Sequence, residues 1–248
     1  MTIAGAGRML RGGETTSVAL TEAAIARMEA TEARLNAFIT PTPDDALASA
    51  RQADADLAAG NDHGPLHGIP IAIKDLCATR GIRTTAGSAV LGDWVPDFDA
   101  TVVRKLHEGG AVSLGKLNLH EFAFGTTSMN EHYGAVHNPW DLSRHPGGSS
   151  GGSGAAVAAG VVFGAIGTDT GGSIRMPAAL CGTAGLMPTY GVVSRKGVTA
   201  LSWSLDHIGP LTRTAEDSAL FLKTIAGYDA GDPGSLHTPG GWDPTSEI

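Results

Sequence analysis

Apolar residues at helical spacing predict two amphipathic helices near the start of the chain. The first covers residues 16–35, with Thr16 or Ser17 as its cap. The second covers residues 43–59 and begins with a proline and two aspartates, which suit the first turn of a helix. The apolar positions that define the first helix are Val18, Ile25, Met28 and Leu35.

After residue 68 the pattern changes to short apolar runs, which are typical of strands buried on both faces. The β-branched run "IPIAIKDL" (69–76) is bounded by glycine and proline and predicts such a strand. The stretch "DATVVRKLHEGG" predicts a helix with Asp99 as its cap and Gly109 as its stop, and "AVSLGK" (111–116) predicts a second strand. Strand, helix and strand in this order indicate a crossover connection in a parallel sheet.

The second half of the chain continues this alternation. "SGGSGAAVAAGV" (150–161) predicts a closely packed helix of small residues, and "VVFGAIGTDT" (161–170) predicts a strand. Ser173 then opens a helical stretch, and a last helix follows with a capping box formed by Thr214 and Asp217. The chain shows no internal repeat and no linker, so it is predicted to form a single α/β domain over residues 1–248, in which 229–248 form an irregular tail.

Composition and charge exclude several classes of protein. The 35 glycines are not periodic, which excludes a collagen-like chain. The net charge is -8 and no basic stripe is visible, so direct binding to nucleic acid is not expected. The longest apolar run (155–167) is too short and too rich in glycine to span a bilayer, and the first residues lack the apolar region of a signal peptide. These features predict a cytoplasmic protein without a membrane partner.

Cysteine and histidine give no sign of a metal or a cofactor. Cys77 and Cys181 lie far apart in apolar settings, which predicts two buried free thiols in a reducing compartment. The nine histidines are scattered, and "LHEFAF" (119–124) lacks the second histidine of a zinc protease motif. We therefore expect neither a metal site nor a cofactor.

Two short motifs match known patterns without the context those patterns need. "GAVSLGKL" (110–117) resembles a phosphate-binding loop, but Leu117 stands where a hydroxyl must hold Mg²⁺. "SLGK" (113–116) fits the S-x-x-K pattern, but it lies in a predicted strand and is short enough to occur by chance. Both are interpreted as structural.

Two serine-bearing glycine loops and one lysine carry the remaining candidate chemistry. "GGSSG" around Ser149 fits the nucleophile elbow G-x-S-x-G, but no strand is predicted directly before it, so an α/β-hydrolase remains only a rival beside a flexible loop. The second loop places Ser173 after two glycines. Lys74 ends a buried strand, where lost hydration lowers the pKa of an amine and makes a neutral base accessible. These are the parts of a Ser–Lys hydrolase.

In these motifs the sequence resembles the amidase signature family. The resemblance runs from about residue 15 to about residue 238 and rests on five stretches in the family's order. They are "GIPIAIKD" (68–75), "PGGSSGGSGAAVAAG" (146–160), "GTDTGGSIRMPAA" (167–179), "GLMPTYGVVSR" (185–195) and "SWSLDHIGPLTRTAED" (202–217). The resemblance implies an α/β fold with a mixed central sheet flanked by helices.

The resemblance also implies a triad of two serines and a lysine. Ser173 maps to the nucleophile, Ser149 to the bridging serine and Lys74 to the base. In the family the bridging serine follows a cis peptide bond, which here is the bond between Gly148 and Ser149. The triad implies hydrolysis of a carboxylic amide through a serine acyl-enzyme, without a cofactor.

The loop around the nucleophile is expected to stabilise the oxyanion. Ser173 is expected at the start of a helix, whose dipole would add positive potential. Ser150 and Asp169 are expected to brace the loop, and Arg175 is expected on the first turn after the nucleophile, mainly in a structural role. The expected oxyanion donors are the N–H groups of Thr170, Gly171, Gly172 and Ser173.

The length of the chain indicates how much of a family member it contains, and one residue favours one branch of the family. Family members are usually near twice this length, so the resemblance implies an N-terminal portion without the half that completes the sheet and lines the substrate pocket. His207 stands where the glutaminase subunit of a tRNA-dependent amidotransferase tends to carry glutamine, which favours a stand-alone amidase. The implied partner is a small amide substrate, with a homodimer, or with further subunits in the amidotransferase. An inactive truncated fragment is the other alternative.

Overall fold

The computed structural model describes residues 1–240 and 242–246. The helices are α1 (Ile3–Arg11), α2 (Ser17–Leu35), α3 (Pro43–Ala58), α4 (Thr101–Glu108), α5 (Gly151–Ala158), α6 (Arg175–Cys181) and α7 (Ala215–Ile225). The strands are β1 (Phe38–Pro41), β2 (Pro70–Lys74), β3 (Val112–Leu117), β4 (Gly164–Asp169), β5 (Ala184–Gly185) and β6 (His207–Thr212).

The six strands form one mixed sheet in the order β1-β3-β2-β4-β6-β5. The central strand β2 runs parallel to both of its neighbours, β3 and β4, whereas the other pairs are antiparallel. The connection from β2 through α4 to β3 is the predicted crossover. The expected α/β architecture with a mixed sheet flanked by helices is therefore confirmed.

Two apolar cores lie on the two faces of this sheet, because successive residues of β2 point in opposite directions. Ile71 and Ile73 pack in the core that includes residues of α1, α4 and α7. Ala72 packs in the other core, with residues of α2, α3 and α5. All five residues of β2 are buried, as the continuous apolar run predicted.

The helix boundaries confirm most predicted caps and correct two of them. Thr16 caps α2 by accepting from the N–H of Ala19 at 3.0 Å. Asp99 does not cap α4, since its carboxylate accepts from the N–H of Arg80 at 2.7 Å instead. The capping box at α7 is only half formed, because Asp217 Oδ1 accepts from the N–H of Ala4 in α1.

The segment after α7 contains no helix or strand among its described residues, yet it is bound to the body of the protein. Asp229 accepts from the hydroxyls of Thr101 and Ser194, both at 2.6 Å. Asp232 forms an ion pair with Arg195 at 2.8 Å. Across the described residues, no helix has both the length and the apolar character needed to cross a membrane.

Gly115 lies where β1 pairs with β3, and we expect its replacement by alanine to destabilise the fold. Its φ is +127°, and an added Cβ would lie 2.3 Å from the backbone oxygen of Thr40. Strain and overpacking together are expected to lower the free energy of unfolding by about 2–4 kcal/mol, measured by urea denaturation. The control is Gly81→Ala, at φ +74° with open space around it, for which about 1 kcal/mol is expected. Equal losses would contradict the role of the close approach.

Candidate active site

Lys74 ends β2 in a fully buried position surrounded by hydroxyl groups. Its Nζ lies 2.8 Å from Ser149 Oγ, 2.8 Å from Ser150 Oγ and 2.7 Å from Thr168 Oγ1. Among the described residues, no carboxylate forms an ion pair with this amine. The site thus combines a desolvated amine with three neutral partners.

Burial lowers the pKa of Lys74 from 10.5 to about 7, although the charges of Cys77, Asp169 and Asp206 act to raise it. A large share of the lysine is therefore neutral near pH 7. A neutral amine carries two hydrogens and one lone pair, so it can donate to two hydroxyls and accept a proton from the third. This arrangement gives the lysine the capacity of a base toward a serine hydroxyl.

Ser149 is held by its backbone next to this amine. The peptide bond between Gly148 and Ser149 is cis, as the resemblance implied. The carbonyl oxygen of Ser149 accepts from the N–H of His120 at 3.1 Å and from Ser128 Oγ at 3.2 Å. A Cβ at position 148 would lie 2.8 Å from backbone atoms of Thr126 and Thr127, so only glycine fits there.

Ser173 lies in the loop that joins β4 to α6 and is almost fully buried. The helix α6 begins at Arg175, two residues later than expected. The N–H of Met176 donates to the carbonyl oxygen of Gly172 at 2.7 Å, so a helical hydrogen bond still spans Ser173. In the part of the chain that the structure describes, Ser173 Oγ makes no hydrogen bond, and none joins it to Ser149 Oγ.

Some backbone N–H groups of this loop donate to an acceptor within the protein, and others have no acceptor. Gly172 donates to Asp169 Oδ1 at 2.6 Å, so its N–H already has an acceptor in this structure. Within the described chain, the N–H groups of Thr170, Gly171 and Ser173 have no acceptor. Gly172 has a φ of +137°, whereas a Cβ on Gly171 would meet no atom within 4 Å. The backbone conformation therefore requires glycine at 172 and not at 171.

Asp169 braces the loop from its buried position at the end of β4. Its carboxylate accepts from the N–H of Ile174 at 3.2 Å and from Arg175 Nε and Nη2, both at 3.0 Å. Burial acts to raise the pKa of Asp169, but the hydrogen bonds from Arg175 and the backbone outweigh it and hold the pKa below its usual value. The side chain of Arg175 is 53% exposed and makes no described contact beyond this brace.

Ser150 connects the loops that carry the two other serines. Its Oγ accepts from the N–H of Thr168 at 3.2 Å, and its own N–H donates to the carbonyl oxygen of Ser173 at 3.3 Å. The structure thus brings together Lys74, Ser149, Ser150 and the loop of Ser173.

Three contacts in this site were missed by reasoning from the sequence. They belong to Thr168, which contacts Lys74; to Ser128, which contacts Ser149; and to Asp206, which contacts Thr170. Only Thr168 left a signal, since it lies in a predicted strand beside the glycine loop. The other two are placed by loops that start far away in the sequence.

The structure also corrects the expectation that the histidines are scattered. Donor atoms of Asp56, His63 and His67 lie within 4.8 Å of one another. The N–H of His63 donates to His67 Nδ1 at 3.1 Å, and among the described residues His67 Nε2 is buried without a hydrogen-bond partner.

A cavity of about 430 Å³ lies beside the loop of Ser173 and reaches Thr168 and Thr170. Its wall is mostly apolar and includes Leu76, Tyr190 and Trp203. The cavity is large enough for a small organic molecule. Ser149 and Ser173 are not among the residues that line it.

Comparison with known proteins gives one family. A family model described as Amidase matches residues 19–247. The glutamyl-tRNA(Gln) amidotransferase A-subunit of Geobacter sp. (strain M21) is 53% identical over 230 residues, which cover 93% of this chain and 47% of that protein. The chain thus spans about half the length of the curated relatives that it matches.

Two solved structures show the same fold. The native peptide amidase of Stenotrophomonas maltophilia is 41% identical with a TM-score of 0.94, covering 99% of this chain and 52% of that one. The glutamyl-tRNA(Gln) amidotransferase A-subunit of Thermotoga maritima is 41% identical with a TM-score of 0.79, covering 90% of this chain and 46% of that one. With a family match over most of its length, the chain belongs to the amidase family.

Proposed function

We propose that this chain carries the catalytic machinery of an amidase that hydrolyses a carboxylic amide through a serine acyl-enzyme. Ser173 is the nucleophile, Ser149 relays the proton and Lys74 is the base. The observation that carries the proposal is the buried, unpaired amine of Lys74, 2.8 Å from the hydroxyl oxygen of Ser149. A desolvated lysine with a pKa of about 7 has the driving force and the geometry of a general base.

The reaction begins with two proton transfers along this line. Neutral Lys74 takes the proton of Ser149, and Ser149 takes the proton of Ser173, whose hydroxyl rotates toward it when substrate binds. The Ser173 oxygen attacks the amide carbonyl, the C–N bond breaks, and the leaving ammonia or amine receives the proton back through the same relay. Water then attacks the acyl-enzyme by the same steps and releases the carboxylic acid.

The free N–H groups of the nucleophile loop support this chemistry. In the proposal, Thr170, Gly171 and Ser173 donate to the oxyanion, while the N–H of Gly172 remains bound to Asp169. Each oxyanion donor is typically worth about 3–4 kcal/mol of transition-state stabilisation. Asp169, Ser150 and Arg175 act indirectly, by keeping the loop in this shape.

A second candidate is the glutaminase subunit of an amidotransferase. It is favoured by the curated relatives, since the matched amidotransferase proteins from Geobacter and Methylococcus are 53–55% identical to this chain. In this role the acyl donor is glutamine, ammonia passes to a partner protein, and the same triad operates. His207 and the higher TM-score with the peptide amidase favour the stand-alone enzyme.

The location of the protein is part of the same proposal. Cys77 and Cys181 are both free and buried, as expected in a reducing compartment. The two free thiols support a cytoplasmic enzyme.

Labelling with a fluorophosphonate probe tests the proposal on the chain as it is. Peptide mass mapping is expected to find the label on Ser173, with a heat-unfolded sample as the unlabelled control. A label on Ser149 would support the rival nucleophile elbow instead. A folded chain that takes up no label would contradict the proposal and favour an inactive fragment. Release of ammonia from glutamine only with added partner subunits would identify the amidotransferase.

A further inference from the structure

Asp206 lies directly before β6 and contacts the nucleophile loop at Thr170. Its Oδ1 accepts from Thr170 Oγ1 at 2.5 Å. Its Oδ2 accepts from the N–H groups of Leu201 and Ser202 at 2.8 and 2.9 Å. Within the described residues this half-buried carboxylate has no cationic partner, so hydrogen-bond donors alone hold its charge.

His207, the residue after Asp206, also contacts the nucleophile loop. His207 Nδ1 lies 2.6 Å from the carbonyl oxygen of Leu205 and 3.2 Å from that of Asp169. Asp206 and the first residue of β6 therefore contact two consecutive residues, Thr170 and Asp169, at the start of the nucleophile loop. Thr170 begins the loop, and its N–H is one of the three that have no acceptor in the described chain.

We propose that Asp206 is a positioning residue of this active site: through Thr170 it fixes the direction of the loop's free N–H groups. The inference rests on the proposed function, because it assumes that these N–H groups meet an oxyanion. A carboxylate suits this task. Its two oxygens accept on opposite sides, whereas an asparagine has one acceptor oxygen and must turn a donor toward one of these donors.

The charge of Asp206 has a separate consequence from its hydrogen bonds. Burial dominates the lowered pKa of Lys74, and Asp206 opposes it together with Cys77 and Asp169. Burial lowers the pKa of His120, which lies three residues after β3, and the charge of Lys74 acts in the same direction. Removing the negative charge of Asp206 lowers the pKa of Lys74 further. The neutral base then persists to lower pH.

Two variants separate these effects. In Thr170→Val the hydroxyl is lost and the carboxylate stays, and in Asp206→Asn the charge is lost as well. The measurement is the second-order rate constant for fluorophosphonate acylation of Ser173 from about pH 5 to about pH 9, where a base with a pKa near 7 titrates. Asp141→Asn is the control, because it removes an exposed aspartate charge that does not act on Lys74.

We expect both variants to lower the plateau rate by at least about tenfold, since a small misplacement of the loop is costly. Only Asp206→Asn is expected to move the acid limb to lower pH, a shift that a merely structural residue would not cause. A wild-type rate in Thr170→Val, or an unmoved limb in Asp206→Asn, would overturn the inference. If Asp206→Asn fails to fold, the rate of Thr170→Val decides. If the wild-type chain is not acylated at all, the proposed function itself fails, and this inference with it.

Discussion

Replacement of Ser173 by alanine is expected to abolish both acylation and amide hydrolysis, while the fold remains intact. The hydroxyl makes no hydrogen bond in the described chain, so its removal leaves no partner unsatisfied. Without the nucleophile no acyl-enzyme forms, and only the loop donors and substrate binding remain. By analogy with serine hydrolases, the rate of ammonia release from primary amides should fall by at least about a thousandfold.

Ser153→Ala provides the matched control for this variant. Ser153 is a buried serine of α5, and its hydroxyl donates to the carbonyl oxygen of Ile166 at 2.8 Å. Its replacement is expected to cost about 1 kcal/mol of stability and to leave the rate unchanged.

Ser149→Ala is expected to keep the fold and to impair turnover, since the relay loses its middle hydroxyl. Full activity in Ser173→Ala would disprove the mechanism.

The elements that the sequence predicts well are those with local signals. The helices α2 and α3 carry helical spacing, and β2 is a bounded run of buried residues. Three strands lacked such signals, and β5, with two residues, is the shortest of them. β1 has only four residues. β6 contains Pro210, and a proline usually argues against a central strand because it has no N–H to donate to a neighbouring strand. In β6 this proline is tolerated near the small edge strand β5.

The helix α1 was missed for a different reason. Ile3, Ala6 and Leu10 recur at helical spacing and are buried, and Thr2 caps the helix by accepting from the N–H of Gly5. The pattern was therefore present, but the stretch was considered only as a signal peptide. Burial of this face against α7 supplies the stability that a nine-residue helix lacks on its own.

The candidate site was predicted from local motifs only in part. Glycine-rich loops and a lysine at the end of a strand indicated hydrolase chemistry, but the resemblance was needed to connect Lys74 with Ser149 and Ser173. The contacts of Thr168 and Asp206 depend on how β4 lies between β2 and β6. Strand order is set by packing over long separations in sequence, so no local pattern contains it. The roles of these residues stay predictions.

The second prediction with a large effect concerns Lys74→Met, which keeps the shape of the side chain and removes its amine. Hydrolysis is expected to fall by about 10²–10⁴-fold, the usual contribution of a general base. In the wild type the rate is expected to rise with pH, to be half-maximal near pH 7 and to level off above it, as the lysine becomes neutral. The variant should lose this rise in the acylation rate. An unchanged pH profile in the variant would show that another group is the base.

Lys116 is the matched contrast, because it is also a fully buried lysine on a neighbouring strand. Its Nζ forms an ion pair with the buried carboxylate of Asp75 at 3.1 Å. Lys116→Met leaves this carboxylate without its cation and is expected to destabilise the protein by about 3–5 kcal/mol. Lys74→Met removes no ion pair, but it leaves the buried hydroxyls of Ser149 and Thr168 without their hydrogen-bond partner, so a smaller loss of about 1–3 kcal/mol is expected.

The pH dependence of the free energy of unfolding tests whether Lys74 is neutral in the folded protein. The pKa of Lys74 is about 7 when folded and that of an unfolded lysine is about 10.4, so between these values the unfolded chain binds more protons. This lysine therefore makes the free energy of unfolding rise with pH by about 1.4 kcal/mol per unit over that window. The destabilisation caused by burying this lysine is fully present below its folded pKa. It is lost as the pH rises toward the pKa of the unfolded lysine.

Lys74→Met lacks this dependence, so its free energy of unfolding is expected to fall by about 2 kcal/mol relative to that of the wild type between about pH 7 and about pH 9. Urea denaturation of both proteins at the two pH values measures the change, and other titrating groups cancel in the difference. A difference that stays constant would mean that folded Lys74 is protonated throughout this range. A protonated lysine could not take the proton of Ser149, so the stability measurement tests the base without reference to any substrate.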